Sequence, residues 1–292
     1  MRAQRTKSNL SRRDLLASTA AAVAAGGLMS AGCMDELMSK ISKKKMPVGL
    51  QLYSVRADCA KDLPGTVEKV AKIGYDGVEF AGYYDYTAKD LRKMLDDNGL
   101  VCCGTHTAMD TLSDANLAAT IELNQTLGNK YLIVPWLKPD DADPKAAWRR
   151  HAERFNELAG KVKPEGMIVG YHCHAHDFHA IDGEVPWEIL FDNTCDDVAM
   201  QIDTGNAMSG GGDPVKYLKK YPGRAVTVHL KEYSATNKNA LIGEGDMPWQ
   251  EIFALCETVG GTKWYIIEEE KDAYPPLEGV ELSLKNYRKL RA

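Results

Sequence analysis

Eight times along this chain a short run of branched and aromatic residues ends in polar side chains, and a helical or loop stretch separates it from the next. The β-type runs fall at 48–53, 77–80, 101–105, 131–135, 167–171, 198–203, 225–230 and 264–268. Amphipathic spacing predicts helices at 63–73, 88–98, 112–127, 144–162, 248–259 and 277–290. Asp110-Thr111 and Asp143 stand where two of these begin, Gly74 and Gly99 where two others end, and Pro144 and Pro248 at predicted first turns. Strand and helix in alternation make a parallel sheet, because the helix is the crossover between neighbouring strands. No Gly-x-Gly-x-x-Gly follows the first run, so eight such units predict a (β/α)8 barrel over residues 46–292 rather than a doubly wound sheet. No low-complexity or charged block interrupts that span, which predicts one domain.

The first residues read differently. Arg2, Arg5 and Lys7 are basic, Ser11-Arg12-Arg13-Asp14-Leu15-Leu16 reads as a twin-arginine export motif, and an Ala-rich stretch follows, too short to span a bilayer comfortably. Ser30-Ala31-Gly32-Cys33 resembles a lipoprotein processing box, with Ser30 where Leu is usual. Residues 1–33 are therefore expected to be a signal peptide and 34–45 a Lys-rich linker. The mature protein is expected in the periplasm or cell envelope, its one membrane link a lipid at Cys33. A net charge of −5 with no basic stripe in the body argues against nucleic acid. The seven cysteines show no C-x-x-C spacing and two are adjacent, Cys102-Cys103, which predicts buried free thiols rather than disulfides.

Chemistry concentrates at the ends of the β-type runs. Tyr171-His172-Cys173-His174-Ala175-His176-Asp177-Phe178-His179 carries four of the chain's seven histidines. Side chains at i and i+2 of a strand share a face. That rule aligns His172 with His174, Gln201 with Asp203, Thr227 with His229 and Lys231, and Ile266 with Glu268 and Glu270. Gln51, Tyr53, Glu79 and His106 join them from earlier runs, while Glu269 points the other way. A (β/α)8 barrel works at the C-terminal ends of its strands. Imidazoles and carboxylates gathered there are the donor set of a divalent metal. His176 and His179 read as loop residues, and the connection 177–185 as an active-site loop.

Five motifs occur in order: Tyr171-His172-Cys173-His174, Asp203-Thr204-Gly205-Asn206, His229-Leu230-Lys231-Glu232, Ile242-Gly243-Glu244-Gly245 and Trp264-Tyr265-Ile266-Ile267-Glu268. Together they resemble the sugar phosphate isomerase/epimerase family, the xylose isomerase-like TIM barrels, across residues 46–292. That resemblance implies a metal held by Glu, Asp, His and Glu from the barrel strands. Carried across, the ligands are Asp203, His229 and Glu268, with His172 where many relatives have the first Glu. Some relatives carry Tyr-His-Asn-His at this strand, and here Cys173 replaces the Asn. His174, on the same face, is the alternative fourth ligand; otherwise it contacts substrate or supports the site. The donor set suits Mn²⁺ or Co²⁺, with Zn²⁺ also compatible.

The resemblance further implies proton transfer beside a carbonyl, through an enediolate. Glu268 is the expected base, with His106, His174 and Lys231 as alternatives. Lys231 is otherwise an oxyanion partner, or a rim lysine paired with Glu79 or Glu270. Tyr53, Glu79, Asn206 and Trp136 are expected substrate contacts, and Tyr53, Trp136 and Trp249 candidates for stacking on a sugar ring. An exported enzyme favours a neutral sugar or keto-sugar over a sugar phosphate. Isomerisation or epimerisation is the family default; a lyase or dehydratase acting on a keto-glycoside or inosose is the alternative. An envelope-anchored sugar-binding lipoprotein would not need the full ligand set. A nuclease of the endonuclease IV type would need more ligands and a basic groove. Homo-oligomers are common among such barrels.

Overall fold

The computed structural model describes residues 46–137 and 142–292; the export motif, Cys33 and the linker lie outside them. Eight parallel strands form one sheet: β1 (Val48–Gln51), β2 (Gly77–Phe80), β3 (Val101–His106), β4 (Tyr131–Val134), β5 (Ile168–His172), β6 (Ala199–Gln201), β7 (Thr227–Leu230) and β8 (Trp264–Ile267). Their order is β6-β5-β4-β3-β2-β1-β8-β7. Its two ends meet at a parallel bridge between Asp203 and His229, where the His229 amide donates to Ile202 O at 2.9 Å. The sheet thereby closes into the expected (β/α)8 barrel, and two predicted metal ligands form the closing seam. Strands covered on both faces must be apolar along their length; Leu50, Val78, Phe80, Leu132, Val134, Val169, Tyr171, Val228 and Ile267 are fully buried.

One irregularity matters for the site. Pairing of β2 with β3 slips between Val78 and Glu79, so that Val78 faces Cys102 and Glu79 faces Gly104, with Cys103 as the extra residue of a bulge. A Cβ on Gly104 would lie 2.3 Å from Glu79 Oε1, so the bulge sets a glycine where the carboxylate needs room.

Three predicted signals hold, Asp143 at the start of one long helix and Gly74 and Gly99 at the ends of two others, while the caps Asp62 and Thr87 were not anticipated. Asp62 caps Leu63–Ile73, Thr87 and Asp90 form a capping box on Ala88–Asn98, and Asp143 caps Pro144–Val162 with Pro144 in its first turn. Gly74 and Gly99 close two of them in the left-handed conformation. The helix predicted at 112–127 is instead a 3-10 turn, Met109–Leu112, followed by a helix at Leu117–Leu127. Short polar side chains satisfy the backbone between them: Thr111 Oγ1 donates to Ala108 O and Asn116 Nδ2 to Asp110 O. Pro248 is the residue before the helix Trp249–Thr258 rather than its first. The helices Arg56–Lys61, Pro186–Asp192, Thr204–Ser209 and Pro214–Lys220 were not anticipated, being too short to display a helical period. The six cysteines of the described residues are free, five of them buried. No helix among the described residues is long and apolar enough to cross a membrane.

Candidate active site

Four side chains converge where the barrel closes. His172 ends β5, Asp203 follows β6, His229 lies in β7 and Glu268 follows β8. Each offers one donor atom, and those atoms all lie within 4.8 Å of one another. All four residues are buried. His229 Nδ1 lies 2.9 Å from Glu268 Oε2 and 3.8 Å from Asp203 Oδ2. Asp203 Oδ1 caps the helix Thr204–Ser209 by accepting from the Asn206 amide at 2.7 Å, but Oδ2 is buried with no hydrogen-bond partner. A carboxylate oxygen rarely stays buried and unpaired in a protein interior. Here it points among two imidazoles and a second carboxylate, an arrangement that fits a divalent cation. The other candidate fourth ligand, His174, does not belong to this cluster among the described residues.

Charge follows from burial and neighbours. Burial pushes the Asp203 carboxyl up to about 7, with Lys231 and His229 opposing. Burial acts the same way on Glu268, but Lys231 and the His229 imidazole outweigh it and hold that carboxyl well below the usual range. Burial disfavours charge on His229, yet Glu79 and Glu268 raise it to about 10, so a metal on Nδ1 must displace a proton there. His172 is held neutral, chiefly by burial and then by repulsion from His229. Neutral imidazole is the form that binds a metal.

Beneath this cluster lies a layer of hydrogen bonds. Glu79 was expected to meet substrate at the rim, but it is fully buried under His229. Its Oε2 is 2.7 Å from Gln51 Nε2, 2.6 Å from His229 Nε2 and 3.3 Å from His106 Nε2. Its Oε1 is 2.8 Å from Gln201 Nε2. Gln201 Oε1 lies 3.1 Å from both His172 Nδ1 and His106 Nε2. The His106 ring stacks 5.5 Å from that of His229, and the ring is held neutral mainly by burial. Strand parity placed Gln51 and Gln201 on the inner face; their role as supports became visible only with the contacts.

The rim is more open. Lys231 Nζ bonds Glu268 Oε1 at 2.9 Å and Glu270 Oε2 at 2.5 Å, not Glu79. Glu269 faces away from the mouth, as parity predicted, accepting from Ser283 and the Lys271 amide. Asn206 Nδ2 donates to Cys173 O at 3.0 Å, tying the loops after β5 and β6 together. Tyr53 is 45% exposed, with the Arg56 guanidinium 4.2 Å from its ring centre, and Trp136 is 49% exposed. The Trp136 ring lies 5.2 Å from that of His174 and 4.5 Å from that of His176, which brings His176 to the rim as well. His174 Nδ1 is buried without a partner, and burial lowers this ring to about 4. Asp177 anchors the loop by accepting from the His174 amide at 2.7 Å and from the Tyr171 hydroxyl. Trp249 is not at the rim. It is buried and donates Nε1–H to Glu232 at 2.8 Å. Glu232 also accepts from the Gly243 amide and so pins the loop between β7 and Trp249–Thr258, a role its motif did not reveal.

The sequence profile of the xylose isomerase-like TIM barrel family matches residues 67–290. The chain belongs to that family. Relatives of this xylose isomerase-like barrel include an inosose dehydratase of Serratia proteamaculans, 25% identical, with the match covering 70% of this chain and 82% of that protein. Two sugar phosphate isomerase/epimerase structures from Parabacteroides distasonis superpose on it. One has a TM-score of 0.71 at 24% identity, covering 84% of this chain and 98% of that one. The other has 0.69 at 26% identity, covering 86% and 95%.

Proposed function

We propose that this xylose isomerase-like barrel is a divalent-metal-dependent isomerase or epimerase of a non-phosphorylated sugar or keto-sugar, acting through an enediolate. The observation that carries this reading is the convergence of His172, Asp203, His229 and Glu268 on one point, with Asp203 Oδ2 buried there without a hydrogen bond. These four residues would hold the ion, Mn²⁺ or Co²⁺ by the mixed nitrogen and oxygen donors and Zn²⁺ also compatible, which when bound would supply a Lewis acid beside the substrate carbonyl.

The remaining roles fall to the chain itself. Glu268, kept ionised by Lys231 and His229, takes the proton from the carbon beside the carbonyl. Lys231, fixed between Glu268 and Glu270, is a standing countercharge for a developing oxyanion. His174 is neutral with an unpaired Nδ1 beside Trp136, which suits a second proton acceptor or a hydrogen bond to a sugar hydroxyl. Tyr53 and Trp136 offer exposed faces for a ring. Three cations near the mouth already have carboxylate partners: Arg56 with Glu270 at 3.6 Å, Lys231 with Glu268 at 2.9 Å and Lys271 with Glu269 at 3.6 Å. That leaves little to attract a phosphate and supports a neutral substrate.

Elimination from an inosose-like ring or keto-glycoside is the second reading, favoured by the likeness to an inosose dehydratase. Both begin with the same proton abstraction and differ in whether the next carbon loses its substituent. The test is to follow neutral ketoses, inososes and keto-glycosides in D₂O with metal-loaded protein. Exchange with all carbons retaining their substituents supports isomerisation; loss of water or aglycone supports elimination; no exchange with any of them contradicts both. The twin-arginine motif and Ser30-Ala31-Gly32-Cys33 support export with a lipid at Cys33. Cys33→Ser should then release the protein from the membrane fraction, and an unchanged distribution would contradict lipid attachment.

A further inference from the structure

We propose that Glu79, which takes no place on the metal, determines which ring nitrogen carries the proton in both imidazole ligands: in His229 directly and in His172 through Gln201. This rests on reading His172 and His229 as ligands, and it follows from tracing donors and acceptors outward from a group whose polarity is fixed. The Tyr53 backbone amide can only donate, and Gln51 Oε1 accepts from it at 3.0 Å. Gln51 therefore turns Nε2 toward Glu79 Oε2, 2.7 Å away, and that oxygen accepts. The same oxygen lies 2.6 Å from His229 Nε2, so the ring donates there and keeps Nδ1 for the side facing Asp203 and Glu268. Glu79 Oε1 accepts from Gln201 Nε2 at 2.8 Å, which fixes that amide with its oxygen toward His172. His172 must then donate from Nδ1, 3.1 Å away, and its Nε2 lone pair is left for the cluster.

The two imidazoles thus bind through different nitrogens, and one carboxylate dictates both. Only a group with two acceptor-only oxygens does this. An amide at position 79 has one oxygen, which is retained by Gln51 and His229, the side with two donors. Its NH₂ then faces Gln201, whose own amide must turn over and present NH₂ to His172 Nδ1. That nitrogen becomes an acceptor, the proton moves to Nε2, and the ligand lone pair is lost. Outer partners of ligating histidines act in this way in metal sites generally, and losing one typically costs ~10–100-fold in metal affinity. The bulge that sets Gly104 against Glu79 keeps the carboxylate free to reach both sides.

The arrangement predicts a rescue that mere structural support would not give. Glu79→Gln should weaken zinc binding by ~10–100-fold, measured by competition with a chelator. In long-range ¹H–¹⁵N spectra of the metal-free chain it should move the His172 proton from Nδ1 to Nε2. Adding Gln201→Glu transposes carboxylate and amide. Every donor then meets an acceptor again, so the double variant should regain the native His172 tautomer and most of the lost zinc affinity. A Glu79→Gln chain that keeps His172 protonated on Nδ1 would overturn the proposal. So would a folded double variant that restores neither property. The tautomer is read without metal. If the native chain takes up no zinc while His172 behaves as described, the relay stands and the metal-centre reading falls.

Discussion

Two buried polar clusters share strand β3, and they behave as opposites. Thr105 turns outward to the helix layer, where Thr107, Asn124 and Asn129 surround it; His106, the next residue, turns inward to Glu79 and Gln201. The outer cluster is neutral and closed. Asn124 Oδ1 accepts from Thr105 Oγ1 at 2.9 Å and from Asn129 Nδ2 at 2.8 Å, its Nδ2 donates to Thr120 O, and Asn129 Oδ1 receives the Tyr131 amide. None of its side-chain atoms lacks a partner. The inner cluster carries charge and ends on open valences, Asp203 Oδ2 above all. Satisfied buried networks specify structure, whereas a buried orphan asks for a partner from outside the chain. Burial and polarity alone do not distinguish a site from a scaffold, and Arg92 Nε and Trp187 Nε1 also lack partners; an unsatisfied carboxylate oxygen set among other metal donors does.

The largest effect is expected where the inner cluster is broken. Asp203→Asn retains an oxygen to cap the Asn206 amide but removes the anionic ligand. It should abolish metal retention and lower kcat/KM by at least ~10²–10³-fold, the scale of a lost electrostatic contact to the transition state. The metal-free chain should melt no lower than the native one. Loss of fold instead would make Asp203 part of the scaffold. Asn124→Leu is the mirror experiment. It strips Thr105 and Asn129 of their acceptor and should cost about 2–4 kcal/mol in urea denaturation, with metal content and kcat unchanged. Metal loss in that variant would erase the distinction between the clusters.

Asp177 tests the border between the two types. Burial pushes its carboxyl up to about 7, well above the unfolded value of about 3.9. A raised carboxyl contributes stability below the unfolded value that is lost as pH rises through the folded one. Asp177→Asn, which cannot ionise, should therefore gain stability relative to the native chain between pH 5 and pH 8, seen by denaturation at both. A constant difference would show that Asp177 titrates normally. The smallest effect belongs to the rim. Trp136→Ala should raise KM about 3–10-fold with kcat retained, as expected for one aromatic contact of about 0.5–1.5 kcal/mol.

Much of this was legible in the chain because strands that end in function carry two signals at once. Their apolar runs located β1 to β8 to within a few residues, and period-two parity put His172, Asp203, His229 and Glu268 on one face while turning Glu269 away. Parity reports direction but not depth. Glu79 points inward as predicted, yet it stands level with Gln51 in the sheet and its carboxylate is fully buried, a depth that no local pattern announces. Depth also separates Trp249, held in the core by Glu232, from Trp136, left exposed beside His174 and His176. The preference for His172 over His174 depends on where the fifth strand meets the sixth, a contact between residues far apart in sequence.

Diffraction from crystals of the chain reconstituted with Mn²⁺, Co²⁺ or Zn²⁺, recorded at the absorption edge of the ion, tests the central claim most directly. The account predicts a single anomalous peak bounded by His172, Asp203, His229 and Glu268, with Glu79 outside its coordination. A barrel mouth with no peak, or an ion bound through His174 away from Asp203, would contradict it.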